Sequence, residues 1–191
     1  KTFGLNPLFG FIDHGPGGTG EPAGALLRPG NAGSNTAADH ITVLERVLAS
    51  LPEQWTRRDG HGRRPILVRI DGAGATHALL DFIHEQGMQF SVRYTLTGPD
   101  IIDLATALPG HAWTPALAGP ATIDSAGVAQ VAEATDDGWV RGWPPDCRLI
   151  VRREHPSGVA KYRQMSICEV DGMRYTAILT KIKSLNPEAL Y

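Results

Sequence analysis

The sequence predicts an α/β protein whose second part is rich in β-strands, and three observations support this prediction. A near-continuous apolar run at 65–70 is typical of a strand buried on both faces. A helical pattern and a second strand pattern follow it with short links, which together form a βαβ unit. After Pro109 the chain turns to prolines, tryptophans and short β-like runs. We therefore expect an α/β core at 1–109, a β-rich part at 110–182 and a tail at 183–191.

Two strands and a helix are predicted before that run. The apolar segments Leu8–Ile12 and Ala23–Leu27 each end in turn-forming residues, as short strands do. A helix then follows, with Thr36 as its N-cap and Pro52 as its stop. Its apolar residues recur every three or four positions and form one stripe: Ala37, Ile41, Leu44, Leu48 and Leu51.

The apolar run at 65–70 ends in Asp71, and the next elements follow closely. Thr76 is a good N-cap for a helix through about Gln86, and Gly87 suits the position after its end. Alternating apolar residues at 90–96 predict a strand. Pro99 then opens a helix that ends near residue 108. In the β-rich part, Leu149, Ile150 and Val151 indicate a strand, and Asp171-Gly172 indicates a two-residue hairpin turn.

Composition excludes some classes of function. The chain has 191 residues with 18 Lys and Arg against 20 Asp and Glu, so its net charge of −2 does not by itself indicate a nucleic-acid binder. No apolar run approaches the roughly 18 residues that cross a bilayer. Cys147 and Cys168 are far apart in no metal-binding pattern, which favours reduced thiols and a cytoplasmic location.

Asp71 is the leading catalytic candidate, because acids at the carboxyl ends of strands in open α/β sheets often lie in active sites. The glycines after it leave room for a metal or a phosphate, although a turn or capping acid would look the same. A second possible metal site is one face of the following helix, whose polar residues are spaced four, three and one apart: His77, Asp81, His84 and Glu85. The solvent-exposed face of an amphipathic helix would show the same pattern.

Two further regions suit anionic ligands. The polar loop from Arg28 through Asn31 to Asn35 leads into a helix N-terminus, which either binds an anion or is simply a helix cap. Basic residues also cluster in the β-rich part and suit DNA phosphates, although a solvated sheet face would also carry them: Arg148, Arg152, Arg153, Lys161, Arg163 and Arg174.

Three segments resemble bacterial insertion-sequence transposases with a DDE domain, group 1: 11–15 (FIDHG), 27–40 (LRPGNAGSNTAADH) and 68–77 (VRIDGAGATH). The resemblance runs from about Gly4 to Thr180, and the tail after it does not share it. It implies a ribonuclease-H-like mixed sheet with flanking helices, interrupted by a β-rich insert. It also implies a cytoplasmic bacterial enzyme that cuts double-stranded DNA at transposon ends and joins it to a target, with a homodimer as a possible assembly.

In this family two Asp and one Glu hold two Mg²⁺ or Mn²⁺ ions, which activate the attacking oxygen and stabilise the leaving one. Asp71 matches the second Asp and is therefore the catalytic, metal-binding residue implied here. The first strand with its Asp and the helix with its Glu have no match in this sequence. We therefore expect a fragment that has little or no nuclease activity alone. The implied DNA contacts are Arg28, Asn31, Asn35, Arg152, Arg153 and Arg163.

Two other functions stay open. The chain could be a non-catalytic DNA-binding remnant or a regulator that pairs with intact transposase, in which case it would bind DNA in a salt-dependent manner without cleaving it. Alternatively, Asp71 with His77 and His84 could hold the metal of an enzyme that acts on small molecules, and the purified protein would then contain zinc and have no affinity for DNA.

Overall fold

The computed structural model describes residues 4–15, 20–33, 36–72, 74–116, 129–135, 138–155 and 168–183. The chain divides into two compact units, Lys1–Gln89 (the N-terminal unit) and Phe90–Tyr191 (the C-terminal unit). This division differs from the sequence-based boundary after residue 109. The reason is that the strand beginning at Gln89 pairs with a strand near residue 180, which the sequence analysis assigned to the β-rich part.

The N-terminal unit opens with a two-stranded antiparallel hairpin. Its strands are β1 (Leu8–Ile12) and β2 (Glu21–Leu26), and they pair from Leu8 opposite Leu26 to Ile12 opposite Glu21. Both predicted strands are therefore confirmed. Helix α1 (Ala37–Ser50) follows and packs on both strands. Thr36 is its N-cap residue, but the Thr36 hydroxyl donates to the Gly33 carbonyl at 3.1 Å instead of capping the helix.

Helix α1 contacts the hairpin through two glycines. A Cβ added at Gly10 would lie 2.5 Å from Val47 Cγ2, and one added at Gly24 would lie 3.0 Å from the same atom. Val43 is the buried residue of the helix, at 5% exposure, whereas the predicted apolar stripe is only partly buried. The closest contacts with the two glycines come from Val43 and Val47, two β-branched residues that lie outside the predicted stripe.

Three short elements complete the N-terminal unit: α2 (Glu53–Thr56), β3 (Leu67–Ile70) and α3 (His77–Glu85). Strand β3 is not buried on both faces as its apolar run predicted, since Leu67 is 44% exposed and Arg69 is also exposed. Residues two apart share a strand face, so Arg69 already marked the outward side of this strand.

Helix α3 follows the sequence prediction closely. The Leu79 backbone N–H donates to the Thr76 hydroxyl at 3.4 Å, and Leu79, Leu80 and Ile83 are buried on one face. The helix ends at Glu85, and Gly87 has a positive φ of 72°. A Cβ at Gly87 would lie 2.1 Å from the Gly62 carbonyl oxygen, so this position requires glycine for its space as well as for its backbone angle.

The C-terminal unit is built on an antiparallel sheet whose strands run in the order β4, β9, β7, β6, β5. Strand β8 lies off this path and pairs with β9. Helix α4 (Pro99–Ala107) lies between β4 and β5 in the chain, as predicted. The strand bounds are β4 Gln89–Tyr94, β5 Thr114–Pro115, β6 Gln130–Glu133, β7 Arg148–Glu154, β8 Glu169–Val170 and β9 Met173–Thr180.

The core of this unit lies along β7 and β9. Leu149, Ile150 and Val151 are fully buried, which confirms the strand predicted there. The predicted hairpin turn is also confirmed, because Asp171 and Gly172 join β8 to β9 with φ angles of 50° and 76°. Two consecutive positive φ angles are typical of a type I′ turn. Within the ranges described above, no helix is long and apolar enough to span a membrane.

Candidate functional site

Asp71 lies directly after β3, in a tight turn that leads to α3. Its side chain is exposed. One carboxylate oxygen, Oδ1, accepts a hydrogen bond from the Gly72 backbone N–H at 2.7 Å. The Asp71 carbonyl oxygen accepts another from the Gly74 N–H at 3.2 Å, which closes the turn. The turn therefore holds the backbone of Asp71 and presents its carboxylate to solvent.

The sequence around Asp71 dictates this turn. A Cβ at Gly74 would lie 2.2 Å from Ile70 Cγ2, so only glycine allows the chain to fold back over the end of β3. The Thr76 backbone N–H then donates to the Gly74 carbonyl at 2.8 Å, and Thr76 caps α3. The strand, the glycine turn and the capped helix fix where the acid is presented.

The alternative metal site on α3 gains no support from the structure. Among the residues that the structure describes, no three His, Cys, Asp or Glu side chains form a group that could hold a metal ion. His77 lies at the first position of α3 and His84 near its end, and both have other interactions within the protein. Asp71, exposed directly after β3, therefore stays the leading candidate.

Arg28, proposed from the sequence as a DNA contact, is buried at 6% exposure. Its guanidinium donates to the Asn6 and Gly33 carbonyl oxygens, each at 3.0 Å, and forms an ion pair with Asp39 at 3.2 Å. Asn31, three residues later, is exposed in the turn that follows. Asn35 lies outside the described residues, so its position is not stated. No local sequence pattern indicates the role of Asn6, because it lies 22 residues before its partner.

Arg152 and Arg153 are neighbours in β7, so their side chains lie on opposite faces of the sheet. Arg152 forms an ion pair with Glu154 at 2.7 Å, on its own face. Arg153 donates to the Gln130 side chain at 2.8 Å, and its guanidinium lies 4.0 Å from the centre of the Trp113 ring. The two arginines therefore belong to different surfaces, which the grouping by sequence did not show. Arg163 lies outside the described residues.

Other arginines of the β-rich part form ion pairs with glutamates. Arg148 forms a two-pronged pair with Glu133, with nitrogen–oxygen distances of 2.9 and 2.8 Å. The hydrogen bonds from Arg148 hold the pKa of Glu133 below its usual value, despite the opposing effect of burial. Arg174 lies 3.5 Å from Glu169. Such pairing reduces the local positive charge that phosphate binding would use.

Trp113 is a residue of this region that sequence reasoning missed as a partner of Arg153. It is 6% exposed, and it packs edge-on against Tyr175 with ring centres 6.2 Å apart. Arg153 and Tyr175 are cross-strand neighbours in β7 and β9, and both side chains contact Trp113. A proline-rich segment around a lone tryptophan gave no signal for this pairing.

The structure is mixed α/β, with an exposed carboxylate in the turn after a strand, and this architecture is compatible with the ribonuclease-H-like class. Comparison with known families gives a match to the transposase DDE domain, group 1, across residues 1–191. The chain belongs to this family. The match extends beyond Thr180 and so includes the tail that the sequence analysis placed outside the resemblance. No curated protein matches the chain, and no solved structure matches it.

DDE transposases are in general nucleases and transferases that act on DNA and typically use divalent metal ions. A carboxylate such as that of Asp71 is the kind of hard oxygen ligand that Mg²⁺ takes. Two ions need bridging acids from more than one strand, and the described residues contain no group of three or more His, Cys, Asp or Glu side chains that could hold a metal ion. The described part of the chain therefore does not by itself form a complete metal centre around Asp71.

Proposed function

We propose that this chain is part of the catalytic core of a DDE transposase that cleaves and joins DNA at insertion-sequence ends. Asp71 is the proposed catalytic residue and metal ligand. The observation that carries the proposal is an exposed carboxylate held by a glycine turn at the end of β3, in a chain whose whole length matches the family. An exposed carboxylate of this kind is a suitable ligand for a hard cation such as Mg²⁺.

The proposed DNA contacts are the exposed Asn31 in the N-terminal unit and Arg152 and Arg153 in the C-terminal unit. Because Arg152 and Arg153 face opposite sides of β7, each would contact a different DNA segment or strand. Asn35 and Arg163 stay proposed contacts by resemblance alone. Phosphate contacts of this kind position the duplex and carry no sequence information.

The test of Asp71 uses an intact transposase that contains this domain. We expect Asp71→Asn to lower cleavage of end DNA by about 1,000-fold or more, since a metal ion contributes several kcal/mol to the transition state. Binding of the same DNA should persist. Asp103→Asn is the matched control, because Asp103 is an exposed acid on α4. Cleavage by Asp71→Asn at the level of the control would refute the metal role.

The 191-residue chain alone provides the second arm of this test. We expect no Mg²⁺-dependent nicking of plasmid DNA, because the described residues do not complete a metal centre around Asp71. Nicking that requires Mg²⁺ and disappears in Asp71→Asn would overturn this expectation and assign the catalysis to the chain itself.

A non-catalytic DNA-binding protein or regulator of transposition is the second candidate function. The observation in its favour is that the described residues contain no group of three or more His, Cys, Asp or Glu side chains that could hold a metal ion. It requires salt-dependent binding of duplex DNA by the isolated chain, unchanged by Asp71→Asn. In the intact transposase, loss of cleavage on the same substitution would separate the catalytic role from this one.

A further inference from the structure

Arg28 is the most enclosed charged side chain among the described residues of the N-terminal unit, and the contacts around it link three segments. Its Nε donates to the Asn6 carbonyl oxygen at 3.0 Å, and Nη2 lies 3.3 Å from the Asn6 side-chain oxygen. Its Nη1 donates to the Gly33 carbonyl at 3.0 Å and to the Asp39 carboxylate at 3.2 Å. Asp39 lies in the first turn of α1, so the guanidinium joins the start of the chain, the loop and the helix.

These contacts leave little of the guanidinium for a ligand. An arginine has five N–H donors, and the planar fork that binds a phosphate uses two of them in parallel. Four hydrogen bonds of Arg28 are already made within the protein. At 6% exposure, the remaining donor cannot form the two-pronged contact that makes arginine a strong phosphate ligand.

The segments on either side of Arg28 are closed against each other. The Asn6 backbone N–H donates to the Arg28 carbonyl at 3.0 Å, and the Asn6 side-chain amide donates to the Ala32 carbonyl at 3.1 Å. Leu5 and Pro29 form an isolated β-bridge. A Cβ at Gly30 would lie 2.6 Å from the Gly4 carbonyl oxygen. The turn that carries the exposed Asn31 is therefore fixed from beneath by Arg28 and Asn6.

We propose that Arg28 is a positioning residue, which holds the turn at 29–33 so that Asn31 contacts the backbone of duplex DNA. This inference rests on the proposed function, since it takes DNA as the ligand. It replaces a direct contact between Arg28 and phosphate with an indirect role through Asn31. The chemistry distinguishes the two roles: a direct contact depends on the positive charge, whereas positioning depends on the shape of the guanidinium fork.

The experiment measures binding of a mixed-sequence DNA duplex by the full chain as a function of NaCl concentration. Arg28→Lys keeps the charge but cannot make the four bonds of the fork, so we expect its affinity to fall about fivefold, as for Asn31→Ala. Neither variant should change the salt dependence, because neither removes a charge. The double variant should bind no more weakly than Asn31→Ala alone, since both changes act through one contact.

Affinity of Arg28→Lys equal to that of the unmodified chain, or losses that add in the double variant, would overturn the positioning role. If Arg28→Lys does not fold, Asn6→Ala removes the two side-chain bonds of Asn6 and must give the same loss. A reduction of the salt slope by about 0.9 in Arg28→Gln, with Arg28→Lys unaffected, would assign a direct phosphate contact instead. Absence of DNA binding by the unmodified chain would refute this inference and leave the proposed function to the cleavage test of Asp71, whereas binding that is insensitive to Arg28→Lys would refute the positioning role alone.

Discussion

The two units use glycine for different purposes. In the N-terminal unit, an added Cβ would come to 3.0 Å or closer to another atom at Gly10, Gly24, Gly30, Gly74 and Gly87. In the C-terminal unit, an added Cβ would meet nothing within 4 Å at Gly98, Gly110, Gly138 and Gly172. Close approaches at glycine thus occur in the N-terminal unit, although Gly15, Gly60 and Gly62 of that unit also lie in open space.

The two units also differ in how their charged side chains are partnered. In the N-terminal unit, Asp71 is exposed and accepts from its own turn, whereas Arg28 is buried by backbone carbonyls and Asp39. In the C-terminal unit, arginine and glutamate meet across and along the strands, as Arg148 and Glu133 do. The contrast teaches that the number of basic residues in a region does not identify a DNA-binding surface, since the partners of each must be known.

The largest effect is expected at Gly87. Gly87→Ala places a Cβ 2.1 Å from the Gly62 carbonyl and keeps a φ of 72° that side chains rarely adopt. We expect the free energy of unfolding to fall by about 3 kcal/mol, from strain and overpacking together. Urea unfolding measures it. Gly60→Ala, which meets nothing within 4 Å, is the control from the same unit, and equal losses in both variants would contradict the assignment of the loss to the crowding and the backbone angle at Gly87.

A smaller effect is expected in the hairpin turn of the C-terminal unit. Gly172 has a φ of 76° but open space around it, so Gly172→Ala carries only the backbone cost, about 1 kcal/mol. Thermal unfolding should show this loss, and Gly110→Ala should show almost none. If Gly172→Ala proved as damaging as Gly87→Ala, the difference in how the two units use glycine would be disproved.

The smallest effect is expected at the Glu133–Arg148 pair. Because hydrogen bonds from Arg148 lower the pKa of Glu133 from 4.5, the pair stabilises the fold at pH above that value. The contribution is lost as the pH falls through the lowered pKa. Glu133 is 35% exposed, so we expect Glu133→Gln to cost about 1 kcal/mol at pH 7.

The measurement is the free energy of unfolding of both proteins from pH 7 to pH 2. The two curves should converge at the acid end, because the protonated glutamate no longer differs in charge from glutamine. A difference that stays constant down to pH 2 would contradict the assignment of the stabilisation to the ionised pair.

Much of the fold could be predicted from local sequence signals. The Thr76 cap, the glycine after α3 and the Asp171-Gly172 turn are each determined by a few neighbouring residues, and the structure confirms them. The buried face of α1 could not be predicted in this way. Val43 is buried because two glycines from a hairpin more than 15 residues earlier lie against it, and no local pattern reports such a contact.

The same distinction between local signals and contacts of distant segments applies to the candidate site. The position of Asp71 follows from its strand, its glycines and the helix cap, all of which lie within ten residues. The burial of Arg28 depends on Asn6 and Asp39, which approach it only after folding. Arg152 and Arg153 were grouped because they are adjacent in sequence, yet the two-residue period of a strand separates them.

The close packing of Gly74 against Ile70 also affects the position of Asp71. The space that a side chain at 74 would need is occupied by the methyl group of an isoleucine one residue before the acid. The half-buried side chain of Ile70 under the turn thus acts together with the Gly72 N–H in determining where the carboxylate is held. Replacing Ile70 with a larger or smaller apolar residue would shift the carboxylate of Asp71 without altering a polar atom around it.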